Sequence, residues 1–582
     1  MFPRVTKAKI GGKEYRHLKI IRTYRDKGKV KQQVVASLGS LDEMSTGDID
    51  NIINGLCRIF ERPLPGGDPL FEEALSYGDV HVILHLWKEL RLAEVLKREA
   101  EKSRTQFDLE AHVKTLVVNR LSDPSSKLAA LSWLEHAYLP GVNRDEMKYH
   151  HLLRAMDWLI EQKETVERDL CNTVLTLFDQ ELDLVFYDLT SSYFETELTD
   201  ELRKYGYSRD HRSDRPQITV GMVTTRDGIP VCHHVFPGNT LDKTTVKAVV
   251  RDLKERFPIS RAVFVGDRGM LSHDNLEAVR EEGLDYIVAV SARSDADTAD
   301  LLIGFEDEVD SQRAVWREDL QRYRATGELP EGIASEDELL ASHKLFGVDI
   351  VSGRRLVVEH SENVARVTAR KRHERVKRVD DDIGLVLARL ETQDRGQKLR
   401  GRKLSESGAL VKVHDLLKKQ RLTGPYRLEL KDGALHIVFD QTELDWEAVL
   451  DGKLVVETSL IDFSPEEVIQ QYRDLKHIEA SFRVLKSAIE LRPMHHWSPE
   501  RIKSHVFICV LALVIERVMR LRLKNAGQNI EPSRALEKLR ALRVIRAKTA
   551  KGAALGLTRT TNDQRSLLTA LGVPAPTLNN IM

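Results

Sequence analysis

The chain has 582 residues, 41% hydrophobic and 31% charged, and its 89 Lys plus Arg against 90 Asp plus Glu leave a net charge of −1. That length calls for two to four domains and the composition suits a soluble globular protein, while a neutral total gives no support to binding a polyanion through global charge. The four cysteines (Cys57, Cys171, Cys232, Cys509) are scattered without a CxxC pair, which argues against a zinc module or a disulfide scaffold and suits a reducing cytosol.

In chain order, residues 1–62 form a small β/helix unit. MFPRVTKAKIGGKEYRHLK carries charges where the apolar core of a signal peptide would stand. HLKIIRTYRDKGKVKQQVVASLG reads as a hairpin turning at Asp26-Lys27-Gly28, and a helix is predicted near 47–62. ERPLPGGDP (61–69) reads as a linker. Residues 63–180 are mostly helical by periodicity. LEAHVKTLVVNRL (109–121) is one predicted helix, broken by Ser122-Asp123-Pro124, with Ser125 as candidate cap of the next, SKLAALSWLEHAYL. The pair reads equally as a helix–turn–helix or a plain helical hairpin.

Residues 181–295 supply five predicted strands, DLVFYDLT, QITVGMVTT, PVCHHVFPG, AVFVGD and YIVAVSA, with a helix over 244–257 before the fourth. Residues 296–455 read as an insertion of mixed α and β character, far longer than one crossover requires. It contains RVTARKRHERVKR, a Gly/Arg/Lys-rich piece (394–403) and the late strands YRLELKDGALHIVFD and KLVVETSL. Residues 456–520 open with Ser464-Pro465-Glu466-Glu467, a capping-box helix start. Within them VFICVLALVI (506–515) is too short to span a bilayer and reads as a core helix. Residues 521–582 read as a basic helix followed by a polar end. The cations cluster: eleven Lys/Arg in 4–31, seven in 366–378 and eleven in 517–551, each run holding at most two acids. Such runs are either solvated faces or phosphate-neutralising patches.

The most informative spacing is Tyr472, Glu479 and Lys486, seven residues apart twice over. On one continuous helix a step of seven keeps the three on one face. Beside them runs an apolar stripe of Ile469, Leu475, Ile478, Phe482, Leu485 and Ile489. Upstream, Asp188 and Asp267 each stand at or near the end of an apolar strand, where an acid needs a partner, a metal or a task. Three acids brought together would suit hard divalent cations, and two such ions can clamp an in-line phosphoryl displacement. Taken singly, each acid reads as a turn residue, a cap or a surface group, with Glu479 pairing Arg483 at i,i+4.

FYDLTSSYFET, FVGDRGMLS and the Tyr472–Glu479–Lys486 helix together resemble the three acidic motifs of DDE transposases from bacterial insertion sequences. The similarity is to the branch with a helical Tyr–Arg–Glu–Lys signature, over roughly 180–295 and 440–520 and more loosely over the N-terminal third. The signature Arg falls on Leu475, flanked by Arg473 and Lys476, either of which is a candidate for the missing charge. The resemblance implies an α/β fold: an RNase H-like catalytic core with a mixed sheet flanked by helices, split by the insertion. It implies that Asp188, Asp267 and Glu479 are both the catalytic acids and the ligands of two Mg²⁺, with Mn²⁺ an acceptable substitute. It further implies DNA contacts from Tyr472, Arg473, Lys476 and Lys486, recognition of terminal inverted repeats within 1–180, a homodimer on DNA, and work in the bacterial cytoplasm and nucleoid. Arg268 is a candidate phosphate contact or a salt-bridge partner of its neighbour, and Trp446 either stacks on an extruded base or packs conventionally. Three rivals share parts of the pattern: an RNase H-like nuclease that cuts without joining, an inactive DNA-binding descendant, and a two-carboxylate glycoside hydrolase.

Overall fold

Strands β1 (Phe2–Ile10), β2 (Lys13–Asp26) and β3 (Lys29–Ser40) make an antiparallel sheet in the order β1-β2-β3, followed by a helix over Thr46–Ile59. β2 and β3 are the hairpin read at 17–39, with Asp26 opposite Lys29. Ile21 is the one buried position among the described residues of this sheet, so its cations face solvent. The computed structural model describes residues 1–578 except 11–12, 28, 60–69, 180–181, 258–261, 268–271, 292, 294, 398–402 and 550–551. The turn residue Gly28, the linker read at 61–69, the middle of the piece at 394–403 and Arg268 therefore lie outside the described residues.

After β4 (Leu70–Ser76) come six helices, between Gly78–Glu89 and Lys163–Leu177. Leu109–Ser122 is one of them, capped by Asp108, whose carboxylate accepts from the Ala111 N–H at 2.9 Å. The next helix begins at Ala129, not at the expected cap Ser125. The intervening turn instead sends Lys127 inward, where its Nζ meets His505 Nδ1 at 2.8 Å, while the Ser125 carbonyl is taken by Arg120.

The main sheet has eight strands in the order β10-β11-β14-β9-β8-β5-β6-β7. Its members are β5 (Leu184–Tyr193), β6 (Gln217–Thr224), β7 (Pro230–Pro237), β8 (Val263–Gly266), β9 (Asp285–Ala289), β10 (Lys344–Val351), β11 (Arg354–Ser361) and, after the separate hairpin β12 (Tyr426–Lys431) and β13 (Ala434–Phe439), β14 (Lys453–Thr458). β5, β8 and β9 run parallel; β6 and β7 run antiparallel on one side and β14, β11 and β10 on the other. This is the mixed sheet expected of the α/β core. β10 and β11 were not read from the sequence. They arise within the segment read as an insertion and extend the same sheet through β14.

Strands covered on both faces should be apolar throughout, and β6 is buried at every position. Alternation sorts β5 between two cores. Leu184 and Phe186 face the larger one, built on the helix Pro499–Asn525. Val185, Tyr187 and Leu189 face the smaller one, beneath the helices Val246–Arg256 and His273–Glu281. The apolar run 506–515 is wholly buried within Pro499–Asn525, and no described helix is long and apolar enough to cross a membrane.

The outer half of the 33-residue helix Glu362–Asp394 packs with the helix Glu406–Gln420 and with β12 and β13 around a core of its own. The C-terminal segment departs from a helix with a polar end. It holds a helix over Pro532–Leu539, strands β15 (Arg543–Thr549) and β16 (Gly552–Leu557) and a helix over Asn562–Ala570. β15 pairs with β4, so opposite ends of the chain share one small sheet.

Candidate active site

Register alone brings the two aspartates together. β5 and β8 are adjacent and parallel, with Phe186 opposite Val265 and Tyr187 opposite Gly266. Carried one residue beyond the end of β8, the same register sets Asp188 opposite Asp267, on strand lines about 4.8 Å apart. Asp188 is in phase with Leu184 and Phe186, and Asp267 with Val263 and Val265, so both carboxylates lie on the face of the larger core.

The third acid arrives on that face from a helix. Ser464 starts the segment with the expected capping box: its hydroxyl accepts from the Glu467 N–H at 3.2 Å, and the Glu467 carboxylate accepts from the Ser464 N–H at 2.8 Å. The helix is not continuous, as the sevenfold spacing required. It runs over Pro465–Arg473, tightens into i→i+3 bonds at Asp474 and Leu475, and resumes over Lys476–Lys486. Buried Asp474 accepts from Arg226 Nε at 2.8 Å, a tertiary ion pair that holds the chain at this break. Only Glu479 and Lys486 therefore share one continuous helix. Tyr472 lies before the break and lines a cleft of about 580 Å³ together with Asp267, Ser291, Lys453 and Leu450.

Ile478, Phe482 and Leu485 seat the second helix on the larger core and leave Glu479 exposed. Glu479 makes no ion pair among the described residues, so the i,i+4 pair with Arg483 does not form. The helix is pinned from two sides: Ser481 Oγ donates to the Gly228 carbonyl at 2.8 Å, and Arg517 Nη2 donates to the Ala480 carbonyl at 3.1 Å. Gly228 turns β6 into β7 at φ +75°, and a Cβ there would stand 2.8 Å from the His477 carbonyl. Gly228→Ala should therefore cost about 1–3 kcal/mol and push Glu479 out of place. Urea unfolding and DNA cleavage by the purified variant check this, and a variant with wild-type values for both would show the turn is not a constraint.

Burial pushes the Asp188 carboxyl up to about 7, and the nearby charges of Asp267 and Glu479 push it the same way. Its Oδ1 accepts from the Leu189 N–H at 2.7 Å, and the Arg209 guanidinium acts in the opposite sense. Asp267 and Glu479 thus both act on Asp188, one from the end of the neighbouring strand and one from the helix. The donors are all carboxylate oxygens, as a hard divalent cation prefers. Among the described residues the three do not form a group whose ligand atoms all lie within 4.8 Å of one another.

Of the cationic and aromatic candidates, Lys486 reaches the site's flank, where its Nζ donates to Asp210 Oδ1 at 3.0 Å. Arg473 is committed elsewhere, to an ion pair with buried Glu359 on β11. Leu475, at the signature Arg position, is buried in the core, while Lys476 is exposed at the start of the second helix. Trp446 is half-buried on the helix Gln441–Val449, one turn before the cleft residue Leu450. Sequence reading missed Arg209, Asp210 and Arg492, which gather beside Lys486. The dense charge of SRDHRSDR after an apolar strand was the available signal, but it names no partner.

The model of the family described as transposase DDE domain matches residues 180–515, a span that includes all three acids. The model described as IS1634 family transposase, N-terminal domain, matches residues 3–65. No curated protein matches the chain.

Proposed function

The chain belongs to the DDE transposases of insertion sequences, and we propose that it cuts DNA at the ends of its element and joins the freed 3′-hydroxyl to a target, with Asp188, Asp267 and Glu479 as catalytic acids. The observation that carries this reading is the β5–β8 register, which leads Asp188 and Asp267 to facing positions at the ends of parallel neighbours, with Glu479 acting on Asp188 from the helix. Bound among the three carboxylates, Mg²⁺ or Mn²⁺ would acidify a water and neutralise charge building on the phosphate.

In the first step a water oxygen attacks the phosphorus at the element's end and the 3′-oxygen leaves as a hydroxyl. In the second, that hydroxyl attacks a phosphodiester, displacing another 3′-oxygen with no net change in the number of P–O bonds. The protein's own contribution is positional. The paired strands fix two acids rigidly, and the pinned helix sets the third. Tyr472, on the wall of the cleft beside Asp267, is placed to meet the strand entering it. The exposed cations of β1–β3 suit engagement of the element's ends, and bringing two ends together calls for a homodimer on DNA. Such work belongs in the bacterial cytoplasm, on nucleoid DNA.

The test is a cleavage and strand-transfer assay with Mg²⁺ on DNA carrying the sequences that border the gene. Wild type should cut and join. Glu479→Gln should still bind the ends yet lose cleavage by about 10⁴-fold, the scale of losing one member of a catalytic set. Normal cleavage by that variant sinks the assignment of the third acid. Cutting without joining by the wild type would instead make the protein a nuclease.

A further inference from the structure

Beside the three acids lies a cationic cluster with an acid of the protein's own inside it. Asp210, in the loop between β5 and β6, takes Lys486 Nζ at 3.0 Å on one oxygen and faces Arg492 Nη1 at 3.2 Å with the other. The carboxylate is 13% exposed, and its Oδ2 accepts no hydrogen bond of good geometry. Arg209 precedes it in the chain, pairs through Nη2 with Asp242 Oδ2 at 2.6 Å, and carries its charge to both Lys486 and Asp188, so the cluster adjoins the acidic site. His211 follows at φ +57°, a conformation that costs a residue with a side chain energy unless the fold enforces it.

We propose that Lys486 and Arg492, with Arg209 at their edge, form a subsite for one backbone phosphodiester of the bound DNA, and that Asp210 is a resident counter-anion which this phosphate displaces. The inference rests on the transposase reading and adds to it a lock on the empty enzyme. A carboxylate and a phosphodiester carry the same single charge and each presents two acceptor oxygens, so one can replace the other between the same cations. Guanidinium and ammonium groups crowded together and partly desolvated need an anion in the free protein, and Asp210 supplies it imperfectly, with one oxygen poorly satisfied. A phosphate arriving from solvent gains both cations. Exchange of this kind selects for a strand seated deeply enough to evict the aspartate, and discriminates against loose electrostatic contact.

The test compares full-length wild type with Asp210→Asn for binding to a short duplex carrying the gene's bordering sequence, in Ca²⁺ so that nothing is cut, across a range of salt. Asp210→Asn should bind about tenfold tighter near 0.1 M salt, with a log–log salt slope steeper by about one. Adding Arg492→Ala to Asp210→Asn should remove the gain, and Asp210→Glu, which keeps the charge, should bind as wild type does. Should Asp210→Asn fail to fold, Asp210→Ser reads the same quantity. Equal or weaker binding by the folded neutral variant, while wild type binds, overturns the lock alone and makes Asp210 a plain positioning partner of Lys486. Absence of DNA binding by every form overturns the transposase reading and the lock with it.

Discussion

Asp188→Asn should abolish strand cleavage and at the same time make the metal-free protein more stable at about pH 8. The two effects have one cause. In the fold this carboxyl titrates near 7, against 3.8 for an ordinary aspartate, because it is buried beside two other acids. A group whose pKa is raised by folding favours the fold while it stays protonated. That contribution is complete below its unfolded value and is lost as pH climbs through the folded one. At pH 8 the ionised Asp188 therefore works against the fold by on the order of 2–4 kcal/mol. Asparagine keeps an oxygen to accept from the Leu189 N–H and carries no charge, so the variant escapes the penalty. Thermal unfolding without divalent metal should show the variant above wild type at pH 8 and level with it near pH 4. Added Mg²⁺ should raise wild type but not the variant, with cleavage falling by about 10⁴-fold. Equal melting of the two proteins across this range would mean that Asp188 is not held among like charges.

Glu167→Ala should destabilise the protein by about 3–5 kcal/mol, the largest stability loss expected from one polar side chain here. Glu167, on the helix Lys163–Leu177, is 3% exposed. One of its oxygens accepts from Lys163 Nζ and Arg256 Nη1, both at 2.8 Å, and the other from the backbone N–H and Nδ1 of His233, at 3.0 and 2.7 Å. Its carboxyl is held far below the ordinary range by these cations, against the opposing effect of burial. Burial and Lys163 bring His233 down to about 4, so the ring is neutral and donates through Nδ1. Truncation would leave Lys163 without its acid and Arg256 with Asp252 alone, at 2.6 and 2.7 Å, and unlink the helical region from the sheet edge at β7 and from the helix Val246–Arg256. Urea unfolding measures the loss. A change under 1 kcal/mol would mean that water reaches these cations once the acid is gone.

The sequence made the central strands legible because burial on both faces leaves a long apolar run, and an acid set in such a run is conspicuous. Ser464-Pro465-Glu466-Glu467 was legible for a similar reason, since a capping box is written in consecutive residues. The break at Asp474-Leu475 was not. Nothing local forbids a helix there, and its anchor is Arg226, distant in sequence. β10 and β11 were hidden between strongly charged helices, and β4 finds β15 only across most of the chain. Arg473 looked available for DNA because Glu359, its partner, lies in a strand the sequence did not announce. Asp210 and Lys486 likewise belong to distant segments, so their pairing exists only in three dimensions.

The sheet order separates the acids in time as well as in sequence. During synthesis Asp188 and Asp267 can come together once β8 has paired with β5. The helix bearing Glu479 follows β14, which is held between β9 and β11, and its residue leaves the ribosome about two hundred positions after Asp267. At 5–20 residues per second, that interval is on the order of 10–40 s. On the assignment proposed above, a nascent chain passes through it with its cutting centre one acid short.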